Sequence, residues 1–326
     1  MNIVATDGYT LNPGDNSWDE LSAIGKLTVF DRTAPADLIA RCRDSDIAIV
    51  NKTPFDADAF SKLPRLKFIT MAATGYDCVD IEAAGKRGIP VSNIPIYGTD
   101  TVAQYVFSAV LHLAHNISGH ADAVQKGAWT ASKDWCFWNR PLIELSGRSI
   151  GIVGFGRIGR RVGEIASAFG MRVLAHDPHP GEKPAYEEFE WCPLEALFEK
   201  ADFITLHSPL TSDNREFVNK VLLSKMKHSA FFINAARGGL VNEADLAAAL
   251  SGRQLAGAVI DVVSQEPIRP DNPLLGAPNL FITPHIAWAT LAARKRLMAG
   301  IVENIRSFLS GNAVHVVNRQ FLRPSR

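Results

Sequence analysis

Ser149-Ile150-Gly151-Ile152-Val153-Gly154-Phe155-Gly156-Arg157-Ile158-Gly159 carries the strongest structural signal in the chain. Its apolar start reads as a strand over Ser149–Val153, and the amphipathic pattern of Arg157–Phe169 reads as a helix, with glycines at the turn between them. Gly154 permits a tight turn, Gly156 lets the backbone approach a pyrophosphate, and Gly159 lets the helix lie close to the sheet. The first N–H groups of the helix, at the positive end of its dipole, then face the phosphates. G-x-G-x-x-G by itself also occurs in ordinary strand-to-helix turns, but a strand before it and a helix after it match the dinucleotide-binding mechanism. A second strand, Arg172–His176, ends at Asp177. A carboxylate there accepts from a ribose 2′-hydroxyl and repels a 2′-phosphate, so NAD is expected in preference to NADP.

Outward from this turn the alternation continues, with further segments at Leu194–Lys200, Phe203–His207, Lys220–Met226, Ala230–Asn234, Glu243–Leu250, Ala256–Asp261 and Leu280–Thr283. The first hundred residues alternate in the same way. Strands are expected at Ile3–Asp7, Leu27–Phe30, Ile47–Asn51, Leu66–Ala72 and Val91–Ile94. Helices are expected at Ser17–Ile24 (capped by Ser17), Pro35–Cys42, Asp56–Leu63 and Ile81–Lys86. Two such series imply an α/β protein of two doubly wound parallel-sheet domains. Thr101–Ile117, with cap oxygens offered by Thr99 and Asp100, reads as a buried helix, and Leu291–Leu309 as a long closing one. Between the series lies an irregular stretch, Lys126–Pro141, rich in aromatics: Trp129, Trp135, Phe137 and Trp138. These either pack on their own subunit or meet a partner, since so much apolar surface is costly to leave wet.

The 326 residues are 47% hydrophobic and 21% charged, and Lys+Arg and Asp+Glu both number 34. This is the composition of an ordinary soluble globular chain. Neutral charge without basic runs argues against nucleic acid or an anionic membrane as partner. No signal-peptide pattern or membrane-length apolar run is present, so a cytoplasmic protein is expected. Cys42, Cys78, Cys136 and Cys192 lack C-x-x-C spacing and read as free thiols, with no metal framework.

Three polar residues stand where strands of the second series end, the edge at which open α/β sheets bind ligands. Arg237 follows the strand ending at Asn234, Glu266 follows the strand ending at Asp261, and His285 follows Thr283-Pro284. Taken singly, each fits a surface charge, a turn or a core histidine. Taken together, they suit the reduction of a 2-keto acid. Arg237 can grip a carboxylate through paired N–H bonds, His285 can give a proton to the developing alkoxide, and Glu266 can stabilise the imidazolium.

With these residues in place, the chain resembles the D-isomer-specific 2-hydroxyacid dehydrogenase family over nearly its whole length. The resemblance rests on GFGRIG at 154–159, HSPLTSDN at 207–214, NAARGGLV at 234–241, DVVSQEP at 261–267 and TPHIAWAT at 283–290. AATGYDCVD at 72–80 is similar to the family's substrate loop. The resemblance implies Arg237, Glu266 and His285 as the catalytic set. It implies substrate contacts at Ala73, Thr74 and Gly75. It implies NAD contacts at Arg157, Ile158, Asp177, His207, Ser208, Pro209, Asn214, Ala235, Ala236 and Asp261, besides the three glycines. It also implies a Rossmann NAD-binding domain at 100–288 inserted into a flavodoxin-like substrate domain at 1–99 and 289–326, with a cleft that closes on the acid. Homodimers are usual in the family, with the region Thr101–Pro141 at the interface.

Within the family, NIPIYGTDTVAQ at 93–104, DGYTLNPGD at 7–15 and NKT at 51–53 look most like the glycerate dehydrogenase (hydroxypyruvate reductase) branch. Two departures stand out: Val263 or Ser264 occupies the position where the family commonly has an acidic residue, and Gln104 stands where many members have Glu. Lys52, at a strand end, is a further candidate for substrate contact, against the alternative of an ordinary exposed lysine. Two rivals remain. NAD-sensing corepressors share the fold and the catalytic set, but the neutral charge and lack of tails speak against one. Other acids, such as glyoxylate, pyruvate or phosphoglycerate, fit the same chemistry; phosphoglycerate dehydrogenases often carry a further carboxy-terminal domain, for which a chain ending at Arg326 leaves no room.

Overall fold

The structure, a computed structural model, describes residues 1–322. The chain divides into two compact units, one made of Met1–Gly98 with the chain from Ala289 on, the other of Thr99–Trp288.

In the first unit, strands β1 (Asn2–Ala5), β2 (Lys26–Val29), β3 (Ile47–Val50), β4 (Phe68–Met71) and β5 (Val91–Ser92) form a parallel sheet in the order β2-β1-β3-β4-β5. That is the flavodoxin-like order. Every residue of β3 and β4 is buried, which explains the unbroken apolar run of β3 and the single polar residue, Thr70, in β4: helices cover both faces of a parallel sheet. Val50 pairs with Met71 and Thr70 with Ser92, so these strands end level. The segments that follow, at Asn51-Lys52 and Ala72-Ala73, therefore open along one edge.

The second unit holds β6 (Ser149–Val153), β7 (Arg172–His176), β8 (Phe189–Trp191), β9 (Phe203–Leu206), β10 (Phe231–Asn234), β11 (Gly257–Ile260) and β12 (Leu280–Ile282). Their order is β12-β11-β10-β9-β6-β7-β8, all parallel. The chain winds outward from β6 to β8, then returns to β9 on the other side of β6. The switch point of this Rossmann sheet thus lies between β6 and β9. Register levels the strand ends: Val153 with Leu206, Leu206 with Asn234, Asn234 with Ile260, and Ile260 with Ile282. Gly154, His207, Ala235, Asp261 and Thr283 accordingly leave the sheet along a single edge. No helix among the described residues is long and apolar enough to cross a membrane.

Several expectations need correction. Ser17 does not cap a helix over Ser17–Ile24; the helix is only Asp19–Ser22, and Ser17 Oγ accepts from Asp19 N in a local turn. Thr99 and Asp100 lie inside the helix Thr99–His115 rather than before it, and Asp100 pairs with Arg161. That helix stops before Ile117 because Asn116 adopts a left-handed conformation (φ 47°), and a second helix, Ile117–Gln125, follows. Strand β8 escapes the reading because it is short, with exposed Glu190 breaking its apolar pattern. Trp129, Trp135 and Trp138 do not pack away within the subunit: they stay 52%, 86% and 64% exposed. The cysteines are free thiols, as expected.

Candidate active site

The turn after β6 has the shape the glycines require. Gly154 has φ +90°, and a Cβ there would lie 2.7 Å from the His207 carbonyl carbon and 2.8 Å from Ser208 N. A Cβ on Gly159 would collide with Gly154 O, so only glycine lets the helix Arg157–Ala168 lie this close. Gly156 faces open space, with nothing within 4 Å of a would-be Cβ. It caps the helix without a side-chain bond, which leaves the first-turn N–H groups for an anion. A dinucleotide fits this cradle. Asp177 lies at its rim, accepting from Phe155 N on Oδ2 and from His179 N on Oδ1, both at 2.9 Å. Those two bonds fix the carboxylate and leave lone pairs for a ribose hydroxyl.

The loop after β9 is held by its own side chains. Asn214 Oδ1 accepts from Thr211 N at 2.7 Å, and its Nδ2 donates to Pro209 O at 2.8 Å. His207 Nε2 lies 3.0 Å from Thr205 Oγ1, and burial pushes the imidazole pKa down to about 3. The ring is therefore neutral at physiological pH. Ile158, Ser208, Ala235 and Ala236 are half-buried, while Arg157 and Pro209 are exposed.

Arg237 follows β10 in an extended conformation, its turn set by Asn234, which accepts from Ala236 N and donates to Arg237 O. Arg237 Nη1 donates to Ala236 O at 2.8 Å. The next residue, Gly238, packs so tightly on the peptide between Val263 and Ser264 that a Cβ would collide with it. The Arg237 turn and the loop carrying Glu266 are thus in backbone contact.

His285 and Glu266 meet: Nδ1 lies 2.6 Å from Oε2, with the two side chains 27% and 32% exposed. His285 has φ +55°, a strained conformation for a non-glycine residue. Asp261 holds it there. Its carbonyl accepts from His285 N, and its buried carboxylate accepts from Ile286 N, Ala287 N and Thr283 Oγ1, at 2.6 to 2.8 Å. Tyr105 Oη adds a 2.5 Å bond to Thr283 Oγ1. Burial raises the Asp261 pKa, against the pull of these donors. Sequence alone did not reveal this clamp, since the resemblance marked Asp261 only as an NAD contact, nor that Asn234 sets the Arg237 turn.

In the first unit, Asp7 does for Lys52 what Asp261 does for His285. Its carboxylate accepts from the backbone N–H groups of Asn51, Lys52 and Thr53. Lys52 is exposed at the tip of this loop. Ala73, Thr74 and Gly75 follow β4, where Thr74 Oγ1 donates to Ile94 O and Asn93 Nδ2 donates to Thr74 O.

A Rossmann sheet with a glycine cradle, and a histidine–carboxylate pair on the same edge, define a dinucleotide-dependent oxidoreductase. Residues 107–287 match the family model "D-isomer specific 2-hydroxyacid dehydrogenase, NAD binding domain", and the chain belongs to that family. As a member it is an NAD-dependent enzyme of 2-hydroxy acids. It is 46% identical to a hydroxypyruvate reductase of Blautia hydrogenotrophica, over 98% of this chain and 100% of that one. It is 40% identical to a glycerate dehydrogenase of Methylorubrum extorquens, over 87% and 88% of the two chains. Among solved structures, an NADPH-dependent glyoxylate/hydroxypyruvate reductase of Sinorhizobium meliloti, in complex with NADP and malonate, superposes with a TM-score of 0.83 at 27% identity, covering 100% of this chain and 99% of that one.

Proposed function

We propose that the chain reduces hydroxypyruvate to D-glycerate with NADH, and that His285 supplies the proton. The 2.6 Å bond between His285 Nδ1 and Glu266 Oε2 carries this reading. With Nδ1 engaged by the carboxylate, Nε2 is the ring atom that carries a proton to the substrate oxygen. When bound, the reduced nicotinamide supplies the hydride. Arg237 grips the substrate carboxylate and orients the keto carbon. His285 donates from Nε2 to the developing alkoxide, and Glu266 stabilises the imidazolium before transfer. In the oxidative direction, His285 takes the hydroxyl proton at the same atom. Backbone N–H groups at Ala73, Thr74 and Gly75, and the Lys52 ammonium, supply further substrate contacts. The cradle from Gly154 to Gly159, the loop from His207 to Asn214, and Ala235, Ala236 and Asp261 supply those of the cofactor. Asp177 supports NADH over NADPH, in contrast to the NADPH-dependent Sinorhizobium relative.

The names of the Blautia and Methylorubrum relatives support hydroxypyruvate as the acid. The exposed tryptophans at 129, 135 and 138 support a homodimer built through this part of the chain. Four free thiols support a reducing, cytoplasmic setting. NADH oxidation measured with hydroxypyruvate, glyoxylate, pyruvate and phosphohydroxypyruvate tests the assignment, with hydroxypyruvate expected to give the highest kcat/KM. A higher value with another acid would overturn the substrate, and no turnover on any would favour a binding module. Sedimentation at micromolar concentration tests the dimer.

A further inference from the structure

The segment 262–267, which carries Glu266, has no helix or strand to fix it. Glu243 grips it from the side. Glu243 is the first residue of the helix Glu243–Ser251, whose start is set by Asn242 Oδ1 accepting from Asp245 N. Its Oε1 accepts from Ser264 N at 2.6 Å, and its Oε2 accepts from Ser264 Oγ at 2.9 Å and from Asn272 Nδ2 at 2.8 Å. One carboxylate thus takes both donors of a single residue. An acidic side chain at position 264 would face the Glu243 carboxylate. On its other side, the Val263–Ser264 peptide is pressed against Gly238, next to Arg237. Val263 N lies 3.4 Å from Glu266 Oε1, so the gripped segment leads directly to the carboxylate that holds His285.

We infer that Glu243 is a positioning residue for the reaction: through Ser264 it sets the loop that aims Glu266 at His285 Nδ1. The inference rests on His285 and Glu266 acting as proposed above. Ionised, Glu243 offers acceptors only, which suits the three donors around it. A glutamine there would turn an N–H group toward at least one of them. Hydrogen bonds to a charged acceptor are the strong ones, so the loop should shift when the charge is lost.

Two readouts test this. One is kinetic. Glu243→Gln should lower kcat about tenfold, the effect of one lost charged hydrogen bond, while KM and the NADH dissociation constant change little. Ser264→Ala, which keeps the backbone donor, should lose less. Ser264→Asp should lose at least as much as Glu243→Gln, and the double variant Ser264→Asp/Glu243→Gln should recover activity over Ser264→Asp, because the like charges no longer meet. The other readout needs no substrate: the downfield proton resonance of the His285 Nδ1–H···Glu266 bond should shift or broaden in Glu243→Gln at unchanged Tm. If the wild-type chain turned over no 2-keto acid, the functional reading would fail, yet the resonance would still report on the loop. A Glu243→Gln protein with wild-type kcat and an unmoved resonance would overturn the inference alone.

Discussion

His285 Nδ1 and Glu266 Oε2 stand 2.6 Å apart, although they sit on different loops, after β12 and β11. With Nδ1 engaged by the carboxylate, Nε2 is the ring nitrogen left for the proposed proton transfer. Glu266→Gln keeps the shape but removes the charge that stabilises the imidazolium. It should lower kcat for keto-acid reduction by about 10²-fold, at the lower end of general acid–base effects. The NADH dissociation constant, measured by fluorescence titration, should not change. A variant with wild-type kcat would show that the pair is structural.

Arg237 should act on substrate binding. Its planar guanidinium can match a carboxylate with two N–H bonds, which lysine cannot reproduce. Arg237→Lys should therefore raise KM for the keto acid by roughly tenfold or more, and Arg237→Met by more still. Steady-state kinetics at saturating NADH checks this. An unchanged KM in both would remove Arg237 from the substrate site.

Asp177 should set the choice of cofactor. Wild-type kcat/KM should favour NADH over NADPH, and Asp177→Ala should narrow the ratio by removing the repulsion toward a 2′-phosphate. The side chain also accepts from Phe155 N and His179 N, so the variant should lose some NADH affinity as well. A wild-type preference for NADPH would contradict this role.

His207 should make the apo chain acid-sensitive. Burial holds its pKa near 3, below the ordinary value of 6.5. Between those values the unfolded chain binds a proton that the folded chain does not, so stability rises with pH there. The contribution is present above about 6.5 and is lost as pH falls toward 3. The urea midpoint should drop between pH 7 and pH 5, and His207→Asn should drop less. Equal drops would mean that other groups account for the acid sensitivity.

Much of the fold was legible because parallel strands buried on both faces leave unbroken apolar runs. Ile47–Val50 and Ile150–Val153 are such runs, and the strands that carry them read correctly. Strand β8 and the helix Ile117–Gln125 were not legible, since one is a short edge strand and the other begins after a left-handed asparagine. The same division holds at the site. Strand-end placement pointed to Arg237, Glu266 and His285, because register alone brings strand ends level. The supports of these three residues and of Lys52 were hidden. Asp7, Asn234, Glu243 and Asp261 work by accepting backbone N–H groups or by fixing a turn, and a sequence does not show which amides lack a partner. A departure at Val263 or Ser264 was visible, but not the contact behind it: Glu243 Oε1, 21 residues away in sequence, lies 2.6 Å from Ser264 N in space.

The decisive measurement is steady-state oxidation of NADH by hydroxypyruvate with the wild-type chain and with His285→Gln. The wild type should turn over, and the variant should bind NADH with wild-type affinity while losing kcat by about 10²–10⁴-fold. A variant that kept its kcat would contradict His285 as the proton donor.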